Sequence, residues 1–325
     1  MVDDPKFLVV YNICEVKVQD HNRYCHHLEQ LLKFNYKNYK LMVSGCKVTR
    51  NTKRIIFEKF KDKISYYFCE NLVPVNMTFN RAVQRAVQHY GEFDGYIYID
   101  SGIDIGESYN ILNEIKERFN TNQYGMITIQ VNTDHMQEQW FRGLTGPGLD
   151  HDYMIRKEDF IIPVNRCTNL HFQCFHNKIY KEFNNKIIPD IFYCWCTESC
   201  FAIITAAIDM KWVLLKDIIV THHTGLDGPS NCSNDTRHSG SRNGAHNNCY
   251  GGIDFTPIMN SEEGKKAGFG YHEIPGNILC QHDPAAYNDD GTAKDSLALK
   301  NFIRKNLYLS NEYIDYNYLL EKFIP

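Results

Sequence analysis

The chain has 325 residues, 43% of them hydrophobic, enough to bury a substantial core in one large domain or two tightly joined halves. Its formal net charge of −4 and isoelectric point near 6.4 supply no basic excess, which argues against binding bulk nucleic acid through phosphate neutralisation. No stretch approaches the roughly 20 apolar residues that span a bilayer, so no transmembrane segment is expected.

The first residues, MVDDPKFLVVYNIC, carry acids where a secretory leader carries positive charge. The expectation is a soluble, cytoplasmic protein. Its 12 cysteines are spread through a large chain and read as reduced thiols rather than a disulfide scaffold.

FLVVYNI (7–13) is an apolar strand, Tyr24, Leu28, Leu31 and Leu32 then recur at helical spacing, and YKLMVSG (39–45) is the next strand. This is the rhythm of a parallel sheet covered by helices. Residues 76–90 form the clearest helix, with Phe79, Ala82, Val83, Ala86, Val87 and Tyr90 on one face, Thr78 as N-cap and Gly91 as stop. Asn80, Arg81, Gln84 and Arg85 face elsewhere. The strand YIYID (96–100) follows, then a helix over 108–119 and the strand MITIQV (126–131).

The segment 142–152 carries Gly143, Gly146, Pro147 and Gly148 and reads as a mobile loop. FAIITAAI (201–208) is apolar nearly all round and reads as a buried helix, followed by the apolar run 211–220. Residues 225–276, rich in Gly, Asn and Ser, suit long loops, and 297–323 looks helical. No internal repeat is visible.

In an open parallel sheet, ligands bind beyond the carboxyl ends of the strands. Asp100 lies at such an end, and IDSGID (99–104) sets Asp100 and Asp104 around a Ser-Gly turn. Carboxylates so placed suit a divalent cation shared with substrate phosphates. Taken alone, the string reads first as a turn aspartate after a strand.

The arrangement resembles a GT-A glycosyltransferase: an N-terminal nucleotide-binding sheet, the Asn-Arg-Ala stretch at 80–82, and a strand entering an acidic turn. It is most similar to the small glycosyltransferases of large algal viruses, over a span from residue 7 to about 230. The resemblance implies a mixed, mainly parallel α/β sheet flanked by helices in residues 1–230. The nucleotide-sugar half would be 1–105 and the acceptor half 106–230, with 231–325 a loop-rich and helical extension packed on the same domain. It further implies a hexosyl- or pentosyltransferase, UDP-linked donors, Mn2+ or Mg2+, and a glycan or other hydroxyl acceptor, in a host cytoplasm if the chain is viral. The family's acidic turn is Asp-x-Asp, and here position 102 is Gly. Asp100 carries over, and Asp104 stands as a substitute ligand.

The resemblance places Asn80 and Arg81 against the donor, in the first turn of the 78–90 helix, where unpaired N–H groups favour phosphate. An ordinary solvated helix face is the competing reading. Within PDIFYCWCTESCFAIITAA (189–207), Thr197 can cap the buried helix and put Glu198 in its first turn, where the dipole favours an ionised carboxylate. The resemblance makes Glu198 the general base of an inverting reaction, with Asp190 a second candidate that also makes an ordinary turn.

VTHHTGLDGPS (220–230) puts His222 and His223 directly after the apolar run, with Gly225 and Gly228 beyond. Imidazole suits Mn2+-like ions. The spacing is similar to the His-x-x-Gly-x-x-Lys-Pro loop of family 8 glycosyltransferases, with Gly228-Pro229 in place of Lys-Pro. His171, Cys174 and His176, and the thiols of CWCTESC (194–200), are weighed against zinc, but neither has paired Cys-x2-Cys spacing, and core cysteines are expected. A nucleotidyltransferase and a non-catalytic carbohydrate-binding protein are the competing functions.

Overall fold

The computed structural model describes residues 4–15, 20–70, 75–133, 158–162, 164, 171–189, 201–223, 261–266, 269–274, 277–282, 286–288, 290–308 and 321–325. The N-terminal apolar run is the strand Phe7–Cys14 (β1), and every side chain from Phe7 to Ile13 is buried. A strand without polar alternation is one covered on both faces. Successive side chains of β1 enter two different cores: Leu8 and Val10 one, Phe7, Val9, Tyr11 and Ile13 the other.

Helix His21–Leu31 (α1) follows, with Asp20 accepting from the Arg23 N–H at its start. Strand Tyr39–Cys46 (β2) comes next, then Arg50–Phe60 (α2), capped by Thr49, and strand Ser65–Cys69 (β3). Helix Val75–Tyr90 (α3) leads to strand Gly95–Asp100 (β4), the short strand Ile103–Asp104 (β5), helix Ile111–Phe119 (α4) and strand Tyr124–Thr133 (β6). Strands Phe160–Ile161 (β7) and Phe172–His176 (β8) precede helices Asn177–Glu182 (α5) and Phe201–Ala206 (α6). Strand Lys211–His222 (β9) follows, then helix Glu262–Lys266 (α7) and the strands Phe269–Ile274 (β10) and Asn277–His282 (β11). Helix Ser296–Asn306 (α8) and strand Glu321–Ile324 (β12) complete the series.

The large sheet runs β12-β3-β2-β1-β4-β8-β6-β9-β5, with β7 also on β9. It is mixed: β3, β2, β1 and β4 are parallel neighbours, as are β6 and β9, while β8 lies antiparallel between β4 and β6. One core lies between the sheet and α3, α5, α6 and α8, and the other between the sheet and α1, α2 and α4. Strand order reverses at β1, which has β2 on one side and β4 on the other, so a crevice is expected beyond the carboxyl ends of β1 and β4.

Three sequence expectations are corrected. Helix α3 starts at Val75, so Thr78 is inside it rather than its cap, and Asn80 and Arg81 lie beyond the first turn. The reason is tertiary. Asn76, Asn80 and Gln84, at four-residue intervals, donate side-chain N–H groups to the backbone oxygens of Pro189, Ile188 and Asn185, so the polar face packs on the chain itself. Within 225–276, β10 is a strand paired antiparallel with β11 instead of a loop. The end of the 297–323 segment is also extended: β12 pairs antiparallel with β3, on the edge that β3 leaves open.

Candidate functional site at the strand ends

Asp100 ends β4 on the crevice side. Its N–H donates to the His171 carbonyl at 2.9 Å, because β8 runs antiparallel with Phe172 opposite Ile99. This pairing places His171 beside Asp100 across 71 residues, and the His171 Nδ1–H donates to Asp100 Oδ2 at 3.2 Å. His222 ends β9, and its Nε2 lies 4.0 Å from the same oxygen. The two imidazoles stack, 4.0 Å between centroids at 22°. Ligand atoms of Asp100, His171 and His222 all lie within 4.8 Å of one another.

His222 reaches that position through β5. Ile103 pairs with His222, and the Gly102 carbonyl accepts from the His223 N–H at 3.0 Å. This connection also gathers a second group. Asp104, His27 and His223 bring ligand atoms within 4.8 Å of one another. Asp104 Oδ1 accepts from the Gly106 N–H at 2.7 Å, and its Oδ2 lies 3.6 Å from His223 Nε2 and 3.9 Å from His26 Nε2.

Burial pushes the Asp100 carboxyl up, but the hydrogen bond from His171, the two neighbouring imidazoles and the Ser101 N–H outweigh it and hold it below the usual range. Asp104 behaves likewise: burial is overcome by the Gly106 N–H, Gln30, His27 and His223. Burial pushes His222 down to about 4, with His171 adding to the effect, and pushes His27 down to about 4. At neutral pH His222 therefore presents a neutral imidazole beside the Asp100 carboxylate, and His27 one beside Asp104. Two imidazoles and a carboxylate form a donor set for a first-row divalent ion.

The four expected ligands thus fall into two groups: Asp100 and His222 in one, Asp104 and His223 in the other. Each is joined by a further histidine: His171, which the sequence weighed only with Cys174 and His176 for zinc, and His27, which sequence reasoning missed. Arg23 was missed as well. It sits near enough to His27 and His222 to disfavour protonation of both, so it brings positive charge to the site.

Asn80 is buried, donates to the Ile188 carbonyl at 2.7 Å, and accepts from the Ile187 and Ile188 N–H groups at 2.9 and 3.1 Å. Its amide is occupied by these backbone groups. Arg81 donates to Gln84 at 3.2 Å. Glu198, Asp190, Thr197, Gly225, Gly228 and the 142–152 segment lie outside the described residues. Cys174 is buried in the core, and His176 stacks on Phe119 and caps α5, so His171, Cys174 and His176 do not converge on a zinc ion.

No protein-family profile and no curated relative matches the chain. Solved structures do. The S. aureus TarS fragment 1–349 in complex with UDP-GlcNAc is similar at 14% identity with a TM-score of 0.52, covering 79% of this chain and 67% of that one. The same fragment alone aligns at 13% identity with a TM-score of 0.50, over 79% and 66%. The mannosyltransferase PcManGT from Pyrobaculum calidifontis, in complex with GDP-Man and Mn2+, aligns at 10% identity with a TM-score of 0.49, over 68% and 57%. The chain therefore spans between about half and two thirds of these proteins. No helix among the described residues is long and apolar enough to cross a membrane. The mixed α/β architecture, a large central sheet flanked by helices, is similar to the glycosyltransferase fold of the GT-A kind.

Proposed function

We propose that the chain transfers a sugar from a nucleotide-sugar donor, UDP-linked, to a hydroxyl on a glycan or other acceptor, using a divalent ion held by Asp100, His171 and His222. The observation that carries this reading is the convergence of those three side chains at the strand-order reversal, where folds of this kind bind nucleotides. The similar fold of a TarS fragment that holds UDP-GlcNAc supports the donor class.

Two imidazoles in the set favour Mn2+ over Mg2+, which prefers oxygen ligands and bound water. When bound, the ion supplies positive charge against the leaving diphosphate. The protein's own part is to orient and to screen. Asp100 is held in place by the hydrogen bond from His171, and His222 keeps a neutral ring beside it. Arg23, ion-paired with Asp20 at 3.7 Å, would add positive charge on this side of the site.

For the acceptor, Glu198 is the general base of an inverting transfer in this reading, with Asp190 the alternative. The Asn76, Asn80 and Gln84 amides bind the backbone up to Pro189, the residue before Asp190. The test is calorimetric titration with UDP, GDP and their sugars, in Mn2+ or in EDTA, on the wild type and Asp100→Asn. Tighter binding of a UDP-type donor in Mn2+, with the dependence weakened in the variant, is expected. Equal affinity with and without metal would count against this site.

A further inference from the structure

The donor site as proposed leaves His27, Asp104 and His223 unused. They come from three separate places: α1, β5 and the residue after β9. Hydrogen bonding fixes the state of His27. The Tyr11 hydroxyl donates to the Ser101 carbonyl at 2.8 Å, so that proton is not available to the imidazole. His27 Nδ1 lies 2.9 Å from the Tyr11 oxygen and 3.1 Å from the Ser101 oxygen. The Ser101 carbonyl can only accept, so the hydrogen bond to it puts the N–H on Nδ1.

The proton on Nδ1 leaves Nε2 as a lone pair on a ring that is 1% exposed. A histidine whose one nitrogen is tied to a backbone carbonyl, with the other presented as a lone pair, has the arrangement of a metal ligand. The His27 and His223 rings lie nearly parallel, 11° apart with centroids at 6.4 Å. Asp104 is oriented by the Gly106 N–H on Oδ1, which leaves Oδ2 toward His223 and His26. His26 stands beside the group, with its Nε2 in a 3.1 Å hydrogen bond with the Gln30 side-chain amide.

We propose that His27, Asp104 and His223 form a second divalent-metal site, separate from the Asp100 group and of the zinc-binding class, which ties α1 to the β5–β9 edge. Imidazoles with one carboxylate are a recurrent zinc donor set, and ligands from elements distant in sequence make the ion a cross-link. The inference does not depend on the glycosyltransferase reading.

The test uses the full chain, stripped of metal with a chelator, and titrated with Co2+ by visible absorption and with Zn2+ by calorimetry. Wild type is expected to take up two equivalents. Asp104→Asn and His223→Gln should each lose one, with affinity at that site reduced by roughly 100-fold, while Asp100→Asn loses the other. Zn2+ should raise the melting temperature of Asp100→Asn and no longer do so when His223→Gln is added to it. A single equivalent abolished by Asp104→Asn but not by Asp100→Asn would keep this proposal and remove the metal from the donor site. Unchanged uptake in both Asp104→Asn and His223→Gln, or one equivalent lost only in Asp100→Asn, would overturn it.

Discussion

His222 stands where a side chain at position 102 would have to go: a Cβ built on Gly102 would lie 2.6 Å from His222 Nε2 and 2.7 Å from its Cδ2. No real Cβ sits so close. The glycine is there for close approach, and the second acid expected in the turn has no room because an imidazole from β9 fills it. Gly102→Ala should push His222 away from Asp100, lowering Mn2+ affinity by roughly 10- to 100-fold and stability by about 1–3 kcal/mol. Metal calorimetry beside a urea melt checks both. Unaltered metal affinity would show that His222 contributes no ligand.

Asn80 separates a structural role from a donor contact. Its removal leaves the Ile187 and Ile188 N–H groups and the Ile188 carbonyl without their buried partner, at a cost of about 1–3 kcal/mol for each unsatisfied group. Asn80→Ala should therefore lower the denaturation midpoint markedly with no ligand present. An unchanged midpoint with weakened donor binding would return Asn80 to the donor.

Burial lowers His27, His176 and His222 to about 4, whereas the unfolded chain's imidazoles titrate near 6.5. Between these values the unfolded state takes up protons that the folded state refuses. Stability should be complete above about pH 6.5 and fall as the pH drops toward 4, by on the order of 1–2 kcal/mol at pH 5 for each of the fully buried rings, His27 and His222. Asp100 and Asp104, both lowered, contribute stability above the ordinary carboxylate pKa near 4 and lose it only below that, so the decline between 6.5 and 4 belongs to the histidines. Urea midpoints at pH 7, 6 and 5 measure it. A flat profile would mean that these rings protonate freely in the folded protein.

Glu198 and Asp190 remain the two bases to separate. Glu198→Gln preserves shape and removes proton acceptance, so turnover is expected to fall by roughly 10²–10⁴-fold while donor affinity holds. Near-normal turnover there with collapse in Asp190→Asn would move the role to Asp190. Near-normal turnover in both would remove the carboxylate-base mechanism and favour a retaining reaction.

The sequence alone determined the scaffold's interior. The unbroken apolar runs of β1 and β4 demanded a sheet buried on both faces, and the helical spacing of Phe79, Ala82, Val83 and Ala86 set the face that α3 presents to it. That put Asp100 at a strand end, since the apolar run stops on the first charged residue. The partners of Asp100 were decided by tertiary structure. His171 arrives through the antiparallel pairing of β8 with β4 and His222 through β5 on β9, while His27 reaches Asp104 from α1. The polar face of α3 was left open for the same reason: local sequence does not show that residues 187–189 lie against Asn76 and Asn80. Local periodicity reports which side of an element is apolar, because that follows from the backbone's own repeat. It carries no record of which distant strand supplies the neighbouring side chain, and a metal-binding group is made of such neighbours.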